Sequence, residues 1–233
     1  MVNDFDQELH STLESLDDAV NYANWITHLF QPFLQGEILE IGAGHGTMSE
    51  RLSRYGNLTA TEPYEEAALL LADRFREDSK ISVHQADALS AVKNQTFNSI
   101  VMINVLEHIE DDKGTVQILA DSLTPNGHLA VYVPAFQLLY SKFDRDIGHF
   151  RRYRKKELEK LMTDAGLKIV RSSYVNLPGA FLWLLSARIL RMTPTKQWST
   201  QLYDKFAVPV VRRVESLVTV PFGQSLFCVG RKN

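Results

Sequence analysis

EILEIGAGHGTMSERL, residues 37–52, sets three glycines, Gly42, Gly44 and Gly46, directly behind an apolar run. Glycine loses more backbone freedom on folding than any other residue, so such a cluster marks a tight turn or a close approach of ligand to backbone. A buried strand (37–41), a glycine turn and a helix around 46–54 together make a ready anion or nucleotide site. The spacing is G-x-G-x-G, with Thr47 where a dinucleotide fingerprint would carry its third glycine. No Gly-Lys-Ser/Thr follows, so a phosphate loop is absent as well.

Outward from this stretch, short apolar runs alternate with helical patterns. Strands are expected at 57–63, 81–87, 97–105, 127–135, 167–175 and 225–232, in addition to 37–41. Helices are expected at 65–78, near 112–123 and at 155–166, where Gly166 supplies a C-terminal stop. Strand–helix alternation implies an α/β layer fold with a parallel sheet and right-handed crossovers. Between the last two strands lies a long apolar segment, about 176–224, interrupted by Pro178, Pro194, Pro209 and Pro221.

The glycine stretch resembles motif I of the class I S-adenosylmethionine-dependent methyltransferases, E/D-x-G-x-G-x-G, with Glu40, Gly42, Gly44 and Gly46 in place. Further elements follow in the family's order. Glu62 closes the second strand, where the family keeps an acid for the ribose hydroxyls. Asp87-Ala88 follows the third, where an acid contacts adenine, and NVLEHIEDD (104–112), beginning at Asn104, resembles the segment after the fourth. Upstream, NYANWITHLFQPFL (21–34) resembles the helix before motif I; Tyr22 or Trp25 would cover the methionine end of the donor, or simply pack on the sheet. The resemblance implies a Rossmann-like seven-stranded, mostly parallel sheet with helices on both faces and the last strand antiparallel. It implies S-adenosyl-L-methionine as cofactor and S-adenosyl-L-homocysteine as product. One domain, 1–233, is expected, with a donor-binding half (1–135) and an acceptor-side half (136–233) carrying the insertion.

Methyl transfer from a sulfonium needs proximity and alignment, and a hydroxyl or ring N–H acceptor gains from a general base. His108, just past the fourth strand, and His149, in GHFRRY, are the candidates. GHFRRY followed by KKEL resembles a bacterial subgroup often found near sugar- or lipid-modifying enzymes. Arg151 and Arg152 would pair with an anionic acceptor group, since a guanidinium fork fits carboxylate or phosphate. Tyr140, Phe150, Tyr153 and Trp183 are the expected apolar walls for a small aromatic or amphipathic acceptor. No metal is expected, because Asn104 and Pro134-Ala135 stand where metal-dependent O-methyltransferases carry acids.

A formal net charge of −3 and the missing PP signature after the fourth strand argue against a nucleic-acid partner. The stretch 177–192 reads as an acceptor lid, a membrane-surface helix or a dimer contact, so monomer and dimer both stay open. Two alternatives accompany the small-molecule reading: a lipid- or glycan-linked acceptor with peripheral membrane contact, and a non-catalytic S-adenosylmethionine binder. The single cysteine, Cys228, in an apolar run, is expected to be a buried thiol. The acidic N-terminus without an apolar signal core gives a cytoplasmic expectation.

Overall fold

The seven apolar runs pair into one sheet in the computed structural model, which describes residues 19–185 and 201–233. The strands are β1 Glu37–Ile41, β2 Asn57–Glu62, β3 Ile81–Gln85, β4 Phe97–Ile103, β5 Leu123–Pro134, β6 Lys168–Val175 and β7 Ser225–Arg231. Their spatial order is β3-β2-β1-β4-β5-β7-β6. The pairs from β3 through β5 are parallel, and β7 runs antiparallel between β5 and β6. The chain leaves β1 toward one edge, then returns to β4 on the other side. The carboxyl ends of β1 and β4 therefore flank the topological switch point, where open α/β sheets bind ligands.

The described helices are α1 Val20–Phe30, α2 Ser49–Leu52, α3 Glu65–Arg74, α4 Ala88–Ala91, α5 Asp112–Asp121, α6 Lys142–Asp146, α7 Lys155–Asp164, α8 Leu177–Trp183 and α9 Val208–Glu215. Successive strand residues point to opposite faces. Leu39, Ile100, Met102 and Val131 thus pack with Val116 and Leu119 of α5 and with Leu158 and Met162 of α7. Ile38, Val101, Ala130 and Tyr132 pack on the other face with Trp25 and Phe30 of α1, Leu71 of α3 and Val208 of α9. Cys228 is fully buried in β7, and burial pushes its thiol up to about 12, which suits a packing role.

Three elements depart from the sequence reading. The helix expected at 65–78 ends early, at Arg74. The helix expected at 46–54 is reduced to Ser49–Leu52, because the positive φ of Gly46 (84°) keeps the turn going and the Tyr55-Gly56 turn follows at once. The fifth strand starts at Leu123 rather than 127, with its register shifting between Phe97↔Leu123 and Ser99↔His128 around Asn126, whose φ is 63°. Within 177–192, α8 accounts for Leu177–Trp183; the part beyond residue 185 and the acidic N-terminal stretch lie outside the described residues.

The insertion is stitched to the front of the chain. The Asp204 carboxylate accepts from the backbone N–H groups of Asn21 (3.0 Å) and Tyr22 (2.7 Å), capping α1 from 183 and 182 residues away. Glu215 accepts from Asn176 and Leu177 N–H at 2.9 and 2.8 Å, capping α8. Among the described residues no helix is long and apolar enough to cross a membrane.

Candidate active site

The loop after β1 is held by backbone geometry that glycine alone adopts cheaply. Gly42, Gly44 and Gly46 have φ of 69°, 54° and 84°. A Cβ on Gly42 would stand 2.5 Å from Val105 Cγ2, so the glycine turn abuts the segment after β4. A Cβ on Gly46 would meet the Phe75 ring at 2.4 Å. Glu62, at the end of β2, accepts from the Gly44 N–H (3.0 Å) and the Tyr64 N–H (3.3 Å). Burial raises its pKa, while these amides pull the other way. Glu40 is buried beneath the loop, its Oε2 accepting from Ser49 Oγ at 2.5 Å; burial pushes its carboxyl up to about 7.

The other residues assigned to the donor side divide. Asp87 caps α4, accepting from the Ser90 N–H at 2.8 Å, and this bond lowers its pKa; Ala88 beside it is buried. Asn104 has a φ of 53° and donates its N–H to Tyr132 O at 2.8 Å, so the chain turns sharply as it leaves β4. The Tyr22 hydroxyl shares a 2.8 Å hydrogen bond with Tyr132. Trp25 is 3% exposed within the core, so it takes the packing alternative of the sequence reading rather than facing the loop.

The second half of the site is a buried knot of acids and histidines. Asp144, in α6, is fully buried, and both its oxygens are engaged. Oδ2 accepts from Ser141 N–H (2.8 Å) and Oγ (2.9 Å); Oδ1 accepts from Arg152 Nε (2.7 Å) and faces His149 Nδ1 (3.0 Å). Burial opposes the charge, yet bonds from His149 and the Arg152 guanidinium outweigh it and bring the carboxyl down to about 2. An ionised carboxylate only accepts, so Nδ1 is the donor in this pair and Nε2 is the ring nitrogen left for another partner. Nε2 lies 3.8 Å from Glu107 Oε1.

Glu107 is 0% exposed, and neither carboxylate oxygen has a hydrogen-bond partner among the described residues. Burial pushes its carboxyl up to about 8, only partly offset by its own backbone amide and the Arg152 guanidinium. The His108 ring meets that of His149 edge to face, with centroids 4.5 Å apart. Burial and the neighbouring His149 hold the His108 imidazole down at about 4, so it is neutral and a weak base.

The 140–153 loop and α8 are packed together. Tyr140 OH donates to His149 O (2.7 Å), Phe150 N–H donates to Glu107 O (2.9 Å), and Trp183 Nε1 donates to Leu139 O (3.0 Å). Phe150 is half exposed. Both arginines have partners within the chain, an alternative to the acceptor anion. Arg151 pairs with Asp112 (2.7 Å) and with Glu110 O (2.8 Å). Arg152 is buried on Asp144, with its guanidinium 4.9 Å above the Trp183 ring. Tyr153 OH donates to Asp112 (2.9 Å). Glu107 and Asp144 were not singled out by the sequence reading. The signal available was an acid beside one candidate histidine and an acid five residues before the other.

Ligand atoms of Glu107, His108 and His149 lie within 4.8 Å of one another, a spacing that could hold a cation. The Arg152 guanidinium, whose field already reaches Glu107, opposes a second positive charge there. The glycine cradle with Glu62 at its edge fits a neutral sugar and an adenine better than a phosphate, because the buried acids would repel an anion.

Comparison with known proteins gives this architecture its place. Residues 15–172 match the methyltransferase domain family. A ubiquinone biosynthesis O-methyltransferase of Cupriavidus pinatubonensis is 29% identical over 99 residues, which span 41% of this chain and 40% of the relative. The chain of the Haloferax volcanii complex between the Trm112 methyltransferase activator and a methyltransferase superposes with a TM-score of 0.67, at 15% identity, covering 99% of this chain and 98% of that one. The N-methyltransferase NodS of Bradyrhizobium japonicum, in complex with S-adenosyl-L-homocysteine, does so at 0.57 and 19% identity, covering 99% and 88%. With the family matched over residues 15–172, the chain belongs to the methyltransferase domain family and has the class I S-adenosylmethionine-dependent fold.

Proposed function

We infer that the chain transfers the methyl group of S-adenosylmethionine to a hydroxyl or amino group of a small, aromatic or amphipathic acceptor. The donor supplies an electrophilic methyl on a sulfonium. Gly42, Gly44 and Gly46 bring the backbone against it, Glu62 accepts from its ribose hydroxyls, and Asp87 from its adenine amino group. The acceptor is read as lying over His149 and Glu107, between the segment after β4 and the 140–153 loop.

The observation that carries this reading is the Asp144–His149 pair. Asp144 fixes the imidazole with Nδ1 as donor at 3.0 Å, leaving Nε2 to take the acceptor's proton as the new bond to carbon forms. The low basicity of His108 favours His149 over it as base. O-methylation and N-methylation are each in the name of a protein this chain is similar to, and a proton acceptor at Nε2 would serve a hydroxyl or an amine alike. The test is incubation of the protein and of His149→Ala with labelled donor and a small-molecule extract. Label in a small product that His149→Ala forms far more slowly is expected. Donor binding without transfer to any extract fraction would favour the non-catalytic reading.

A further inference from the structure

Away from the acid–histidine knot, a cavity of about 790 Å³ opens between α1, β6 and α9, and shares no residue with that knot. Its floor is apolar: Trp25, Phe33, Val175, Val208 and Phe227 line it, and all but the partly buried Phe33 belong to the buried core. Its walls are cationic. Arg171 of β6 and Arg212 and Arg213 of α9 line it, although the chain as a whole carries a net charge of −3.

None of the three arginines has an ion-pair partner among the described residues. The one acidic lining residue, Glu215, has both carboxylate oxygens engaged with the Asn176 and Leu177 N–H groups. At the mouth stand Leu217, 81% exposed, and Val218, 54% exposed. Arg151 and Arg152, by contrast, are paired off with Asp112 and Asp144. Three unpaired guanidiniums around one apolar-floored cavity are an arrangement that a single anionic group with an apolar tail would satisfy. The head would take charge-assisted bonds from the arginine forks, and the tail would cover the exposed Leu217 and Val218.

The geometry points to a second binding site, distinct from the acid–histidine knot, for a single-chain amphiphile with a phosphate or carboxylate head. Because α1 forms one wall and leads into β1, an occupant would also brace the helix that precedes the glycine turn.

The test is calorimetry of the full chain with octyl and decyl phosphate below their micellar concentrations, with inorganic phosphate and decanol as controls. Saturable binding is expected, about tenfold tighter for decyl than for octyl, since each buried methylene contributes about 0.8 kcal/mol. Arg212→Gln/Arg213→Gln should weaken it at least about tenfold, and Arg171→Gln, on a separate element, should do so independently. Trp25 emission should shift on binding in the parent protein. Inorganic phosphate binding as tightly as decyl phosphate would reduce the site to an anion patch and overturn the proposal. So would decyl phosphate affinity unchanged in both arginine variants. Co-sedimentation with phosphatidylglycerol vesicles, without binding of the soluble amphiphiles, would overturn it in favour of a membrane-surface contact.

Discussion

Replacing Glu107 with glutamine should make the protein more stable, by an amount that grows from acid to alkaline pH. The glutamine keeps the shape of a protonated carboxyl and never ionises. Glu107 is wholly buried with no hydrogen-bond partner among the described residues, and its carboxyl is pushed from 4.5 to about 8 by burial. The folded pKa is raised, so between those values the folded state holds a proton that the unfolded chain has released. Stability therefore falls as pH rises through this window, and the full cost is present above about 8. At about 1.4 kcal/mol per unit, the shift corresponds to roughly 5 kcal/mol, an upper value; relaxation around the ionised group should leave roughly 2–5 kcal/mol. Urea melts of the parent and Glu107→Gln at about pH 5, 7 and 9 measure the difference directly. Glu40 and Glu62 titrate in both proteins and cancel. Near-equal stability is expected at the acid end and a more stable variant at the alkaline end. A difference that stays constant across the range would refute the reasoning, because it would mean that Glu107 does not hold its proton in the folded state.

Gly44→Arg should abolish calorimetric binding of S-adenosylhomocysteine while far-UV circular dichroism stays native, since the position has a φ of 54° and its N–H is tied to Glu62; unchanged affinity would remove the glycine loop from the donor site. Glu62→Gln should weaken donor affinity by about 10- to 100-fold, the worth of a charge-assisted hydrogen bond; titration of the variant checks it. Once an acceptor is known, His149→Ala should lower turnover by about 10²–10⁴-fold with donor affinity near native, and His108→Ala by much less; the reverse order would move the base to His108. Turnover should survive EDTA treatment, and loss of turnover restored by a divalent cation would assign Glu107, His108 and His149 to a metal instead.

The seven strands and the glycine turn were legible because both rest on local signals. Apolar runs, the period of the helices and three glycines in five residues leave little choice of local conformation. What the sequence hid depends on partners brought from elsewhere. Nothing in LEH says that Glu107 is sealed in, since its cover comes from the 140–153 loop, whose Phe150 N–H reaches Glu107 O. GHFRRY reads as a cationic acceptor clamp until Asp112 and Asp144 are placed beside its arginines. Trp25, polar-tipped and aromatic, could serve as lid or core by pattern alone, and only the packing of α1 against β7 and α9 decides. The length of α2 was misread because helix propensity cannot see that Gly46 is held at positive φ against Phe75 and Leu71.

The Asp204 cap on α1 has a consequence for how the chain is made. A helix start leaves its first N–H groups without partners, and here two of them wait for a carboxylate encoded more than 180 residues later. During synthesis the first helix emerges long before its cap, so the whole donor half can be outside the ribosome while α1 is still frayed. Closing so distant a contact adds to the entropy that must be overcome late in folding. Chains released before residue 204 would carry the complete glycine turn with an unanchored helix in front of it, and proteolysis of such nascent chains should cut first around Asn21 and Tyr22.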